Sequence, residues 1–306
     1  MNQLSDNSRL ISHNISTADL NQIVKEKAEK IKSAGDKPYA SVDQQLELLH
    51  ELTQFDFGRF LLCNKGINGY WTHYMLTYPW QPKKARQNRL EAFILERAPT
   101  VLATQERFRI FLSENQKLVS DNNKLACIPS GMMGELLYLD YSSITDIHLV
   151  GIDYDHDTLD DAKKLAQEKS LLKFTQFEQA DAWQLNLDNE FDLISSNGLN
   201  IYEPNESKVV ALYQQFYNAL KSDGKLVTSF LTPPPQLTTD CEWNMGAINQ
   251  QDLLLQKIIF VDIIEAKWQC FHSSQFMQKH LEAIGFNSIQ FIYDKAKLFP
   301  TVIATK

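Results

Sequence analysis

No stretch of the chain comes near the roughly 18 uninterrupted apolar residues that a membrane-spanning helix needs, so the sequence carries no sign of a bilayer-crossing protein. An excess of positive charge is missing as well. Thirty Lys and Arg face 38 Asp and Glu, a net charge of -8, which argues against nucleic acid or an anionic membrane as the partner and in favour of small molecules or proteins. Only four cysteines are present, Cys63, Cys127, Cys241 and Cys270, with no Cys-x-x-Cys pair. Neither a zinc site nor a disulfide framework is indicated by such spacing. Met1 to Asn14 lacks the basic start and apolar run of a secretory signal, and with the few thiols this gives a cytoplasmic expectation. Internal repeats and low-complexity tracts are absent too, the nearest being Pro233-Pro234-Pro235.

What is present is ample apolar content, 43% of 306 residues, enough for one large domain or two ordinary ones. The first third, residues 1–120, reads as a helical cap or lid. Ser16 and Asp19 suit a capping box ahead of Leu20, Ile23, Val24 and Ala28, and Gly35 and Pro38 close that helix. Ser41 and Gln44 open a second helix, with Leu46, Leu49 and Leu52 facing inward, expected to continue towards Phe60 and Leu61. After Gly66 and Gly69 comes an aromatic-rich stretch, Gly69 to Met75, which suits a surface lid or pocket wall. From Leu90 to Phe111 the periodicity is helical, with a break at Pro99.

Past Gln116 short apolar runs alternate with helical ones, the pattern of a parallel sheet with crossovers. Strands are expected at Lys124–Ile128, Ile147–Ile152, Phe174–Ala180, Phe191–Ser196 and Lys225–Leu231, and helices from Glu135, over Thr158–Glu168 and over Val209–Leu220. An insertion at about 232–271 carries a helix near Leu253–Ile259. A helix capped by Ser273 or Ser274 and ended by Gly285 then leads to a closing hairpin, Phe286–Tyr293 and Phe299–Ala304. The fold class is α/β: a doubly wound, mostly parallel seven-stranded sheet with an antiparallel last strand, occupying residues 121–306, plus the N-terminal helical segment.

Open sheets of this kind bind ligands at the carboxyl ends of their strands, where the strand order reverses. The first such loop is Cys127-Ile128-Pro129-Ser130-Gly131-Met132-Met133-Gly134, in which Gly131 permits close backbone approach and the next helix offers N–H groups. At the second strand end Asp153, followed by Tyr154, is placed to accept hydrogen bonds from a ribose diol. The third ends in Ala180-Asp181-Ala182-Trp183, where Asp181 can accept from an adenine amine. Alone, each acidic residue is more simply a helix cap and Trp183 a packed wall; the joint occurrence of three features at three strand ends favours a nucleotide-type cofactor.

In motif order the sequence from Lys124 to Lys306 resembles the class I S-adenosylmethionine-dependent methyltransferases. The resemblance implies S-adenosyl-L-methionine as cofactor, with its methionine part at Cys127, Pro129, Ser130, Gly131 and Gly134, its ribose at Asp153 and Tyr154, and its adenine at Asp181, Ala182 and Trp183. Phe191 to Gly198 matches the fourth strand and its exit, where Ser196 and Asn197 offer acceptors, and Lys221 to Val227 matches the fifth. The family loop, however, starts with an acidic residue and carries three alternating glycines. Here Cys127 holds the acidic position, Pro129 the first glycine and Met133 the third, so another acidic group or backbone carbonyls must receive the cofactor's amino group. The implied activity is methyl transfer by in-line displacement to a small-molecule acceptor, with Tyr70, His73, Tyr202 and His272 as candidates for handling that acceptor. Two alternatives remain: a noncatalytic protein that retains the fold, and a nicotinamide-dependent oxidoreductase, whose glycine fingerprint fails at Pro129.

Overall fold

The computed structural model describes residues 19–82, 88–267 and 270–306, and these form two compact units. One comprises the described residues within Met1–Leu102 and Gly246–Trp268, the other those within Ala103–Met245 and Gln269–Lys306. Ser16 and the Met1–Asn14 stretch lie outside the described residues.

The first unit is helical. Asp19 caps α1 (Leu20–Ala34) by accepting from the Asn21 N–H. Ser41 and Gln44 make both bonds of the expected capping box at α2 (Val42–Leu52). That helix does not run on to Phe60 and Leu61 as expected. The Thr53 N–H and hydroxyl both donate to the His50 carbonyl, at 3.0 and 2.6 Å, tightening and ending the last turn. The chain then restarts as α3 (Asp56–Asn64), where Gly58 lies so close to α2 that a Cβ would stand 2.2 Å from the Leu52 carbonyl oxygen. The aromatic stretch is itself a helix, α4 (Gly69–Thr77), and the expected break at Pro99 separates α5 (Arg89–Glu96) from α6 (Pro99–Gln116), which belongs to the second unit from Ala103 onward. The expected insertion helix spans Gln250–Lys257 and passes into a π-helix, Ile258–Ile264. Its Ile259, Ile263 and Ile264 are buried in one cluster with Leu49, Leu52, Leu61 and Ile94, so this segment packs with the N-terminal helices.

The second unit is built on seven strands, β1 (Lys124–Cys127), β2 (His148–Asp153), β3 (Thr175–Gln179), β4 (Phe191–Ser196), β5 (Leu220–Ser229), β6 (Asn287–Ile292) and β7 (Thr301–Thr305), in the order β3-β2-β1-β4-β5-β7-β6. The neighbours from β3 to β5 are parallel, and β7 runs antiparallel to both β5 and β6. The fold class is the one expected. One helix is much shorter than its sequence suggests: α7 (Gly134–Leu137) is a single turn. The Tyr141 hydroxyl takes up the Leu136 carbonyl at 2.9 Å beyond it. The crossover helices are α8 (His156–Glu168), α9 (Glu206–Ala219) and α10 (Ser274–Ile284), the last capped by Ser273 and ended by Gly285 as expected.

Side-chain alternation puts both faces of the sheet into cores. Ala126, Ile194 and Leu226 join the cluster under α9 and α10, whereas their neighbours Leu125, Leu193 and Val227 join the one under α7 and α8. Strand order reverses between β1 and β4, so their carboxyl ends form the crevice where a ligand belongs.

Candidate cofactor-binding site

Register in the sheet sets Cys127, the last residue of β1, beside Gly151 of β2 and Ser195 of β4. The loop that leaves it is pinned from β2. The Ser130 N–H donates to the Ile152 carbonyl at 2.8 Å and the Gly131 N–H to Asp153 Oδ2 at 2.9 Å. Gly131 has φ 46°, in the left-handed region where a branched side chain is strained. Asp153 is 4% exposed, and its Oδ1 accepts from the Asp155 N–H at 3.0 Å, so the carboxylate braces the loop with one oxygen and the start of α8 with the other. A carboxylate oxygen has two lone pairs and can accept more than one hydrogen bond.

A buried carboxylate stands beside Cys127, on the short helix that follows the loop. Glu135, on α7, is buried, and its Oε2 lies 3.6 Å from the Cys127 thiol while its Oε1 accepts from Asn197 Nδ2 at 3.3 Å. Burial pushes the Glu135 carboxyl above the usual carboxylate range, opposed by its own backbone, by Asn197, by the Arg107 charge and by Cys127. Burial also pushes the Cys127 thiol well up, which keeps its proton in place to donate. From Asn197 the network continues. The Ser229 hydroxyl donates to Asn197 Oδ1 at 3.0 Å, and Arg107 Nη1 donates to Ser229 Oγ at 3.4 Å. Asn115, also on α6, donates to the Glu135 carbonyl at 3.1 Å and to Ser195 Oγ at 3.0 Å.

Of the residues expected from sequence, Cys127, Pro129, Ser130, Gly131 and Asp153 meet in this loop, and Asn197 joins them through Glu135. Gly134 and Ser196 are buried at the start of α7 and the end of β4. The Tyr154 side chain is exposed, and its carbonyl accepts from Gln179. Asp181 takes the capping role, accepting from the Trp183 N–H and the Gln184 amide at 3.0 Å each. Ala182 is buried, and the Trp183 indole donates to the Lys208 carbonyl at 2.8 Å.

The acceptor-handling candidates fall into two groups. Tyr202 ends a 3₁₀ turn, Leu199–Ile201, at the β4 exit, and the adjacent strand of chain is tied there by the Cys270 N–H on the Ile201 carbonyl at 3.1 Å. His272 follows: its ring stacks on Phe276 at 4.5 Å, its enclosed Nε2 has no hydrogen-bond partner among the described residues, and burial lowers its pKa. Tyr70 and His73 instead stand on α4 in the first unit. Tyr70 is half exposed, while its neighbour Trp71 stacks on Phe57 at 5.1 Å and holds the helices together. Glu135, Arg107, Asn115 and Ser229 escaped the reading of the sequence. A signal existed only for Glu135, a charged residue heading the apolar run Leu136-Leu137.

The seven-stranded order, with its reversal between β1 and β4, is that of the methyltransferase-type α/β fold. A family described as methyltransferase domain matches residues 131–294, and the chain belongs to it. S-adenosylmethionine is the cofactor this membership assigns. Among solved structures the chain is similar to a possible exported protein from Bordetella parapertussis, at 43% identity and TM-score 0.91, covering 96% of this chain and 98% of that one. It is also similar in fold to magnesium protoporphyrin IX methyltransferase from Synechocystis with bound S-adenosylhomocysteine, at 15% identity and TM-score 0.52, covering 78% of this chain and 94% of that one. No curated protein matches.

Proposed function

We propose that this protein transfers a methyl group from S-adenosylmethionine to a small-molecule acceptor, and that its unusual glycine loop remains competent to hold the cofactor. The observation that carries the proposal is Glu135. A buried carboxylate with one oxygen against Cys127 and the other on Asn197 stands beside the position where the family places its acidic residue, and an ammonium group is the ligand that would favour its ionised form. Asp153, already fixed by two backbone N–H groups, accepts from the ribose hydroxyls. Gly131 lets the backbone approach, and Asp181 with Ala182 and Trp183 borders the adenine end. The cofactor supplies an electrophilic methyl group on a sulfonium centre. What the chain contributes is placement: holding both ends of the cofactor limits the approach of the acceptor to one line, the main requirement of an in-line displacement. Tyr202 and His272 flank the β4 exit, and the lowered pKa leaves His272 neutral at pH 7, a state that can accept a proton from an acceptor's hydroxyl or amine. Tyr70 and His73 belong to the segment assigned here as a lid. The proposed compartment is the cytoplasm, supported by four free thiols.

Mass spectrometry of the small molecules that copurify, with calorimetry of S-adenosylhomocysteine, tests this directly. Binding of the adenosyl ligand and methylated product from a metabolite extract are expected. An intact protein that binds no adenosyl ligand would overturn the reading, and one that binds it without ever producing methylated product would move the chain to the noncatalytic alternative.

A further inference from the structure

Among the described residues, Arg107 is a buried cation with no anion paired to it. It is 5% exposed, and among the described residues its one hydrogen bond is the long contact from Nη1 to Ser229 Oγ, at 3.4 Å. Among the described residues its solvent-sealed Nε has no hydrogen-bond partner, and no carboxylate forms an ion pair with it. A guanidinium offers five N–H donors in a planar fork, so most of this hydrogen-bonding capacity is unused. The Phe299 ring, 4.4 Å from the guanidinium carbon, supplies a cation–π contact, but a ring on the face of the plane accepts none of the N–H donors at its edge. Removing a charge from water costs several kcal/mol unless its donors are satisfied. Glu135 and Asp294 act on Arg107 electrostatically without pairing to it, and burial lowers its pKa to about 10, still fully protonated near neutrality.

Position gives this unused fork a meaning. Ser229 is the last residue of β5, and its hydroxyl bonds Asn197 at the β4 exit, which bonds Glu135 beside the glycine loop. A cation and a carboxylate thus stand at the two ends of one hydrogen-bonded chain across the ligand crevice. We propose that Arg107 is a carboxylate-binding residue, whose bidentate fork receives the carboxylate of either the cofactor's amino-acid end or the methyl acceptor. The inference rests on the methyltransferase reading for the location of the crevice, but the demand for an anion comes from Arg107 itself.

Calorimetry on the full chain separates the sources. The probes are S-adenosylhomocysteine, its decarboxylated analogue, which keeps the amine and nucleoside, and benzoate titrated into both the free and the S-adenosylhomocysteine-saturated protein. If the cofactor supplies the carboxylate, the wild type binds S-adenosylhomocysteine at least tenfold more tightly than the decarboxylated analogue, and Arg107→Gln removes that difference. If the acceptor supplies it, the wild type treats the two nucleosides alike but binds benzoate saturably, and Arg107→Gln abolishes benzoate binding alone. Arg107→Lys, which keeps the charge and loses the fork, should retain only part of either effect. Equal affinity of the wild type for the two nucleosides, together with no benzoate binding, overturns the proposal without needing any variant to fold. A protein that binds no adenosyl ligand yet binds benzoate through Arg107 would instead refute the methyltransferase reading and leave the carboxylate site standing.

Discussion

Replacing Asp153 with alanine removes a carboxylate that serves both the ligand crevice and the fold. Its Oδ2 holds the Gly131 N–H at 2.9 Å and its Oδ1 the Asp155 N–H at 3.0 Å, with the side chain nearly buried. A hydrogen bond to a charged partner contributes about 1.5–3 kcal/mol. Asp155 is only partly buried, so water can substitute at its N–H, and the folding penalty should be close to that of one such bond. For a domain of this size that corresponds to a fall in Tm of roughly 3–12 °C. In the complex the alanine variant also lacks the acceptors for the ribose, a further loss of about 1.5–3 kcal/mol, or roughly 10- to 150-fold in Kd. Calorimetry with S-adenosylhomocysteine and with 5′-methylthioadenosine reads this out, and the weakening should be the same for both because both contain the ribose. Asp153→Asn, which keeps one acceptor oxygen but turns a donor towards the second N–H, should fall between wild type and alanine. A folded Asp153→Ala protein with unchanged affinity for both ligands would refute the reasoning and leave Asp153 as a loop brace alone.

Glu135→Gln should weaken S-adenosylhomocysteine at least tenfold but leave 5′-methylthioadenosine, which has no amino group, within about threefold. In the wild type, S-adenosylhomocysteine affinity should rise with pH through the raised Glu135 value, because only the ionised form attracts an ammonium, and the glutamine variant should lose that dependence; a pH-independent wild type contradicts this role. Gly131→Val should abolish binding of both ligands, since a β-branched residue resists φ 46°, whereas Ser130→Ala, whose hydroxyl bonds just the Gly131 carbonyl, should stay within about threefold of wild type in calorimetry. In the helical unit, the Lys27 amine is buried, donates to the Ile263 and Ile264 carbonyls at the end of the π-helix, and has its pKa lowered to about 8. A folded value below the ordinary 10.5 means that the unfolded chain binds the extra proton between these values, so wild-type stability to urea should gain over that interval and Lys27→Met should not.

Local signals were legible in the sequence wherever short-range chemistry decides. The Ser41–Gln44 box, the Pro99 break, the Ser273 cap and Gly285 stop, and the strand Phe191–Ser196 all stand where they were expected, because each depends on residues a few positions apart. Errors arose where hydrogen bonds formed beyond the repeating pattern. Thr53 ended α2 early by bonding His50 with both its N–H and its hydroxyl, and α7 stopped after one turn although Leu136, Leu137 and Leu139 continue its apolar run.

Composition, strand periodicity and motif order were therefore sufficient to determine the α/β class and the place of Asp153 at the end of β2, because a sheet of alternating apolar residues with crossovers leaves few topologies open. They also exposed the gap at Cys127. What stands beside that gap was decided only by tertiary structure: Glu135, Asn197, Ser229 and Arg107 come from separate segments between residues 107 and 229, and no spacing rule connects them. Their meeting follows from burial. Once the packed helices take these polar groups out of water, each must find a partner among whatever groups the folded chain, or its ligand, brings within hydrogen-bonding reach.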